Sequence, residues 1–171
     1  NFLELRRELE ALGHRFKTRS SDIESLLHAW EAWGEAFPSR VRGMFAVIIW
    51  DARTRTLFAA RDRAGEKPLY WTSTERGLLF GSEVKAILTR PEVPRALDLE
   101  ALDQFMTFEY VIAPRTMLQG VQALPAGSWL RFRDGALTVQ RYWDPSETTV
   151  RAWQDDEAAD AGAAQADPAV E

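Results

Sequence analysis

Gly43 to Trp50, GMFAVIIW, is an unbroken apolar run rich in β-branched residues, and it constrains the fold more than any other stretch. Its length and composition suit a strand buried on both faces. A polar turn, Asp51 to Thr54, follows it, and Thr56 to Ala60 returns as a partner strand. Further strands are expected at 69–72, 78–81, 128–133 and 136–142, the last two joined across Asp134–Gly135, a two-residue hairpin signal.

Upstream of this run the period is helical. Phe2, Leu3, Leu5, Leu9 and Leu12 fall near helical spacing, and Gly13 is a natural stop. A second helix is expected to open at Ser21 through the capping-box pattern Ser21-Asp22-Ile23-Glu24. Its core-facing stripe is read as Ile23, Leu26, Leu27 and Trp30, with Gly34 ending it. Short helices are expected at 82–88 and 99–107, the latter capped by Asp98. Two helices followed by a strand-rich body predict an α+β domain built on a packed sheet.

Charge divides the chain. Residues 1–144 hold 20 basic and 19 acidic side chains, whereas 145–171 hold seven acidic residues and only Arg151. The body therefore has no electrostatic footprint for nucleic acid. The Ala-, Asp- and Glu-rich segment 145–171 is expected to be a disordered tail. No apolar run approaches the roughly 20 residues that span a bilayer, so no membrane association is expected. The chain contains no cysteine, which excludes disulfides, thiolate metal sites and a thiol nucleophile within it and fits a cytoplasmic protein.

The sequence has no G-x-S-x-G, no G-x-x-x-x-G-K-[ST] and no G-x-G-x-x-G. His14 and His28 lie far apart and lack the spacing of a zinc site, so no metal site is expected. Arg61, Asp62, Arg63 and Lys67 crowd one loop punctuated by Gly65 and Pro68. Taken alone, that loop reads either as a hairpin end knitted by Arg–carboxylate pairs or as the wall of a ligand pocket.

The stretch WDARTRTLFAARDRAGEKPLYW, residues 50–71, resembles the signature segment of the glutaminase domain of glutamine-hydrolysing asparagine synthases. SDIESLLHAWEAWG, RGMFAVIIWD, FGSEVKAIL, FEYVIAPRTMLQGVQALPAGSWLRF and RYWDP resemble other segments of that domain in the same order. The resemblance runs from Asn1 to about Pro145. It implies a class II glutamine amidotransferase with the αββα N-terminal-nucleophile sandwich, over 1–144, incomplete at its N-terminal edge. In that family an N-terminal cysteine attacks the glutamine side-chain amide, with its own α-amino group as base.

That cysteine, the oxyanion donors and the substrate-gripping turn lie upstream of the matching segment, so no catalytic residue is assigned here. One substrate contact carries over. Asp22, the aspartate of the S-D motif, would receive the α-ammonium group of glutamine; its alternative reading is a plain helix-cap residue. The stretch from Phe16 to Asp22 is one residue longer than the usual family spacing, so a bulge is expected there. Arg61, Asp62, Arg63 and Lys67 are assigned to bracing the loop, and Gly43 and Gly65 to backbone geometry.

The resemblance further implies a C-terminal synthetase domain that uses ATP and Mg2+ to convert aspartate to asparagine, and it admits a homodimer of the parent protein. The S-G-G-x-D-S loop of that domain does not occur in this sequence. The chain is therefore expected to be a truncated glutaminase domain, inactive alone. The alternatives are a paralogue of natural-product synthesis, such as a β-lactam or peptide-macrolactam synthetase, or a non-catalytic glutaminase-like binding module.

Overall fold

A computed structural model describes residues 1–146. Helix α1 (Phe2–Ala11) ends at Leu12, and Gly13 then adopts φ 95° while its N–H closes on the Glu10 carbonyl. Helix α2 (Asp22–Trp33) is capped by Ser21, whose Oγ accepts from the Glu24 N–H at 3.2 Å. Only half of the expected capping box forms. The Glu24 carboxylate turns away from Ser21 and accepts from the Lys17 and Thr18 N–H groups at 2.6 and 2.8 Å. Gly34 ends α2, and a 3-10 segment, Gly34–Arg40, leads toward the first strand.

Among the described residues seven strands follow: β1 (Ala46–Asp51), β2 (Thr56–Arg61), β3 (Tyr70–Thr74), β4 (Gly77–Gly81), β5 (Gln122–Ala123), β6 (Ser128–Arg133) and β7 (Ala136–Arg141). They form two antiparallel sheets, one ordered β1-β2-β6-β7 and the other β4-β3-β5. The β6–β7 hairpin turns through Asp134 and Gly135, both at positive φ, as the two-residue turn requires. Helix α3 (Val84–Ile87) packs on the outer face of the smaller sheet, where Ile87 joins Val93 and Val121 in a core with Tyr70 and Leu79. Helix α4 (Leu99–Phe108) is capped by the Asp98 carboxylate and tied down by Arg115, 2.8 Å from that same side chain. The order of layers is αββα, as the resemblance implies.

Strand pairing explains the two faces of the larger sheet. Ile49 stands opposite Phe58, and Val47, Ala60 and Trp129 form the neighbouring row. Both rows face α1 and α2, in a core with Leu5, Leu9, Ala29 and Phe37. Phe58 is its centre, with the rings of Trp30, Phe37 and Trp129 at 4.8, 5.6 and 5.7 Å. Full burial of one such side chain contributes about 1.5–3 kcal/mol. On the opposite face, Ala59 and Leu130 meet Leu69, Trp71 and Leu124 between the sheets.

Two sequence expectations need correction. The run ending at Trp50 is not buried on both faces: Ile48 and Trp50 are 45% and 59% exposed. β1 is an edge strand, and the three-stranded second sheet packs over β2 and β6 without covering it. The stripe on α2 is also rotated from the expected one. Ser25 and Ala29 are fully buried, Leu26 and Trp30 pack at the core margin, and Ile23 and Leu27 face outward. Small side chains occupy the centre of this contact because α1 and the sheet approach α2 closely there. No helix among the described residues is long and apolar enough to cross a membrane. Beyond Ser146, the expected acidic tail lies outside the described residues.

The uncovered flanks of the inter-sheet face, Ile48 and Trp50 on β1 with Leu137 and Val139 on β7, form apolar surface on both sides of a packed centre. The folded chain is expected to bind a dye such as ANS, and the double substitution Ile48→Thr with Trp50→Ser is expected to reduce that signal. Native chain without dye fluorescence would contradict this reading of the sheet.

Candidate functional site

The sequence crowds charge into the loop after β2, and the structure shows what that charge does. Asp62 is 1% exposed. Its Oδ1 accepts from the Glu66 N–H at 2.9 Å, and its Oδ2 from the N–H groups of Lys67 at 3.0 Å and Phe45 at 3.3 Å. Burial alone would raise the Asp62 carboxyl. The N–H groups of Lys67, Glu66, Phe45 and Gly65 outweigh it and hold the group below the ordinary aspartate range.

Arg61 is satisfied by carbonyls: Lys67 O at 2.7 Å, Leu124 O at 2.7 Å and Gly65 O at 2.6 Å. Arg63 donates to Ser39 O at 2.7 Å. Among the described residues no Arg–carboxylate pair knits this loop, so that reading is corrected. The Arg61 guanidinium and the Asp62 carboxylate are matched by backbone groups and Arg63 reaches the Ser39 carbonyl, so these side chains brace the loop, while Lys67 contributes through its main chain. Gly65 sits at φ 69° with Arg61 and Ala126 against it, where a Cβ would lie 3.0 Å from the Ala126 Cβ.

Through Phe45 the Asp62 node fixes the segment 41–45, which forms one wall of a cleft of about 140 Å³. Phe2 and Leu5 of α1 and Asp22, Ser25 and Leu26 of α2 form the facing wall. Asn1 latches the rim: its Oδ1 accepts from Arg42 N at 2.8 Å, and its Nδ2 donates to Arg40 O at 3.1 Å. Drug-sized ligands occupy pockets of roughly 300–1,000 Å³, so this cleft matches a smaller guest. Its floor is apolar, and its anionic group is Asp22.

Asp22 is exposed at the first turn of α2, and its Oδ1 accepts from the Ile23 N–H at 2.8 Å. The helix cap itself is Ser21, not Asp22. The loop between Phe16 and Asp22, where a bulge is expected, is braced. Glu24 holds Lys17 and Thr18, and Arg6 donates to the carbonyls of Thr18 and Arg19 at 2.7 and 2.9 Å. The Thr18 hydroxyl and the Lys17 N–H lower the Glu24 carboxyl to about 2. Asp22 therefore starts from a fixed backbone and opens onto the cleft. Of this cleft's lining, the sequence motif points to Asp22 and gives no site signal at Asn1 or 42–45. Their contribution comes from long-range closure of α1 against the approach to β1, which no local period announces.

Comparison with known proteins decides the family. Residues 1–143 match the family described as "Glutamine amidotransferase domain". The chain belongs to this family. Among curated relatives, this amidotransferase domain is 38% identical over 145 residues to asparagine synthetase [glutamine-hydrolyzing] 3 of Bacillus subtilis, covering 84% of this chain and 24% of that protein. It is also 38% identical over 156 residues to asparagine synthetase [glutamine-hydrolyzing] 1 of the same organism, covering 91% and 24%. The chain thus spans about a quarter of the length of these relatives. A solved structure, the glutamine phosphoribosylpyrophosphate amidotransferase from B. subtilis, superposes with a TM-score of 0.53 at 21% identity, over 82% of this chain and 26% of that one. That likeness speaks for the fold, and it agrees with the αββα layering.

Because Asp62 is held charged by folding, its stabilisation is complete above the unfolded aspartate value of about 3.9 and is lost as pH falls through the lower folded value. Asp62→Asn is expected to lower unfolding free energy near neutrality by about 3 kcal/mol. It should also flatten the acid limb of stability against pH in urea titrations. An unchanged acid limb in the variant would place the acid sensitivity elsewhere.

Proposed function

We propose that this amidotransferase domain receives glutamine in the cleft beside Asp22, as the ammonia-supplying half of an asparagine synthetase. The observation that carries the reading is the position of Asp22. An exposed carboxylate with no cationic partner among the described residues, at the mouth of a small, apolar-floored cleft, is complementary to an amino acid's α-ammonium group. The identity to glutamine-hydrolysing asparagine synthetases supports the choice of guest. In the whole protein, a synthetase domain would use ATP and Mg2+ to activate aspartate and trap the ammonia as asparagine. No residue of this chain is assigned to ATP or Mg2+.

The residues here bind and position; they do not supply the nucleophile. The chain has no cysteine, so glutamine cleavage through a thiol needs a residue from outside these 171. Purified chain mixed with glutamine is accordingly expected to release no glutamate.

Binding distinguishes the role of Asp22 from a merely structural one. A charge-assisted contact contributes about 1.5–3 kcal/mol, so Asp22→Asn is expected to weaken L-glutamine roughly 10- to 100-fold by ligand-observed NMR. Glutaramate, which lacks the α-ammonium group, is expected to bind the two forms equally. If Asp22→Asn weakens both ligands alike, or neither, Asp22 does not hold the ammonium group.

A further inference from the structure

The structure joins two histidines that the sequence keeps 14 positions apart. His28 and Glu31 lie one turn apart on the same face of α2. His14 lies on the loop leaving α1, and its N–H donates to the Leu9 carbonyl at 3.0 Å, which turns the loop back. The Nδ1 atoms of His14 and His28 are 3.1 Å apart. The Glu31 Oε2 lies 3.0 Å from the His28 Nδ1 and 3.5 Å from the His14 Nδ1. We propose that His14, His28 and Glu31 bind a divalent transition-metal ion, with zinc the natural occupant.

Three physical arguments meet here. The first is size. Zinc holds nitrogen and oxygen ligands at about 2.0–2.2 Å in tetrahedral geometry, which separates the ligand atoms by roughly 3.3–3.5 Å. The observed triangle, 3.0 to 3.5 Å on its edges, needs only slight opening to accept the ion. The second is proton balance. A neutral imidazole carries one N–H, and a ring nitrogen that donates cannot also accept. Whichever tautomers are chosen, at least one edge of the triangle sets two lone pairs or two N–H groups against each other. A cation at the centre satisfies all three edges at once.

The third argument is the outer shell. With its Nδ1 on the metal, His28 carries its proton on Nε2, and that nitrogen faces the Glu24 carboxylate at 3.8 Å. A carboxylate behind a ligating histidine fixes the ring and raises its basicity. The Phe16 ring, 4.6 Å away and edge-on to His28, walls the other side. Both histidine side chains are mostly buried, while Glu31 is half exposed, which leaves a coordination position for water.

Two imidazoles and one carboxylate favour zinc, copper, nickel or cobalt over calcium or magnesium, which take oxygen ligands. The ion would pin the loop after α1 to the middle of α2. The site thus clamps the segment that leads to Asp22, and it stands whether or not glutamine binds there.

The test uses the tag-free 171-residue chain, stripped with a chelator and titrated with Co2+ and then Zn2+. The expected result is visible absorption of four-coordinate Co2+ saturating at one equivalent and displaced by Zn2+. Zinc at a hundredfold excess over its Kd should raise Tm by roughly 5–10 °C. His14→Asn and Glu31→Gln are each expected to weaken Co2+ at least roughly tenfold. Glu31 is exposed enough for its variant to keep the fold, which far-UV circular dichroism verifies. Folded wild-type chain with neither the absorption nor the Tm shift overturns the proposal. So does Co2+ affinity unchanged in folded Glu31→Gln, because the ion then sits elsewhere.

Discussion

A carboxylate sealed from water must be matched by donors, and Asp62 is matched by backbone N–H groups from two separate parts of the chain. Glu66 and Lys67 belong to its own loop, whereas Phe45 lies just before β1. The main chain of Asp62 adds to the knot: its N–H donates to Phe45 O, and its carbonyl accepts from Gly65 and Gly127. One residue thus ties the start of β1, the end of β2 and the approach to β6. Arg61 extends the tie to Leu124 through its guanidinium, and Tyr142 donates to the Arg61 carbonyl at 2.8 Å. The packed centre around Phe58 supplies bulk stabilisation, but this node sets where the loops leave the sheets.

The cleft depends on that node. Its wall at 41–45 is held from behind by Asp62 and from the rim by Asn1, while the opposite wall is the start of α2. Glu24 and Arg6 stiffen the loop that delivers α2, so Asp22 reaches the cleft without being consumed as the helix cap. Membership of the glutamine amidotransferase domain family gives this arrangement a meaning that geometry alone does not. The fold holds an acidic group, Asp22, at the mouth of this cleft, and the sequence contains no cysteine.

Much of this was legible in the sequence because the signals were local. Ser21 and Asp98 announced their helices, Gly13 and Gly34 the ends of theirs, and Asp134–Gly135 its hairpin. Burial was less legible, because it depends on what packs above a strand. GMFAVIIW reads as a central strand, yet β1 is an edge that the second sheet leaves partly bare. The α2 stripe was displaced for a related reason: close approach selects Ser25 and Ala29 for the contact over the larger Ile23 and Leu27. The site was half legible. The S-D motif pointed to Asp22, but nothing in local spacing could bring Asn1 to Arg42 or His14 to His28, since loop closure between α1 and its neighbours does both.

Asp62 organises the loops around the sheets as one cooperative unit. Native-state amide hydrogen exchange tests it most directly, read at Phe45, Glu66 and Lys67 against Ala59 and Leu130 in the centre of the larger sheet. The three amides that serve Asp62 are expected to exchange as slowly as the sheet, and to accelerate together in Asp62→Asn. Fast exchange at Phe45, Glu66 and Lys67 in the wild-type chain, independent of the sheet, would contradict it.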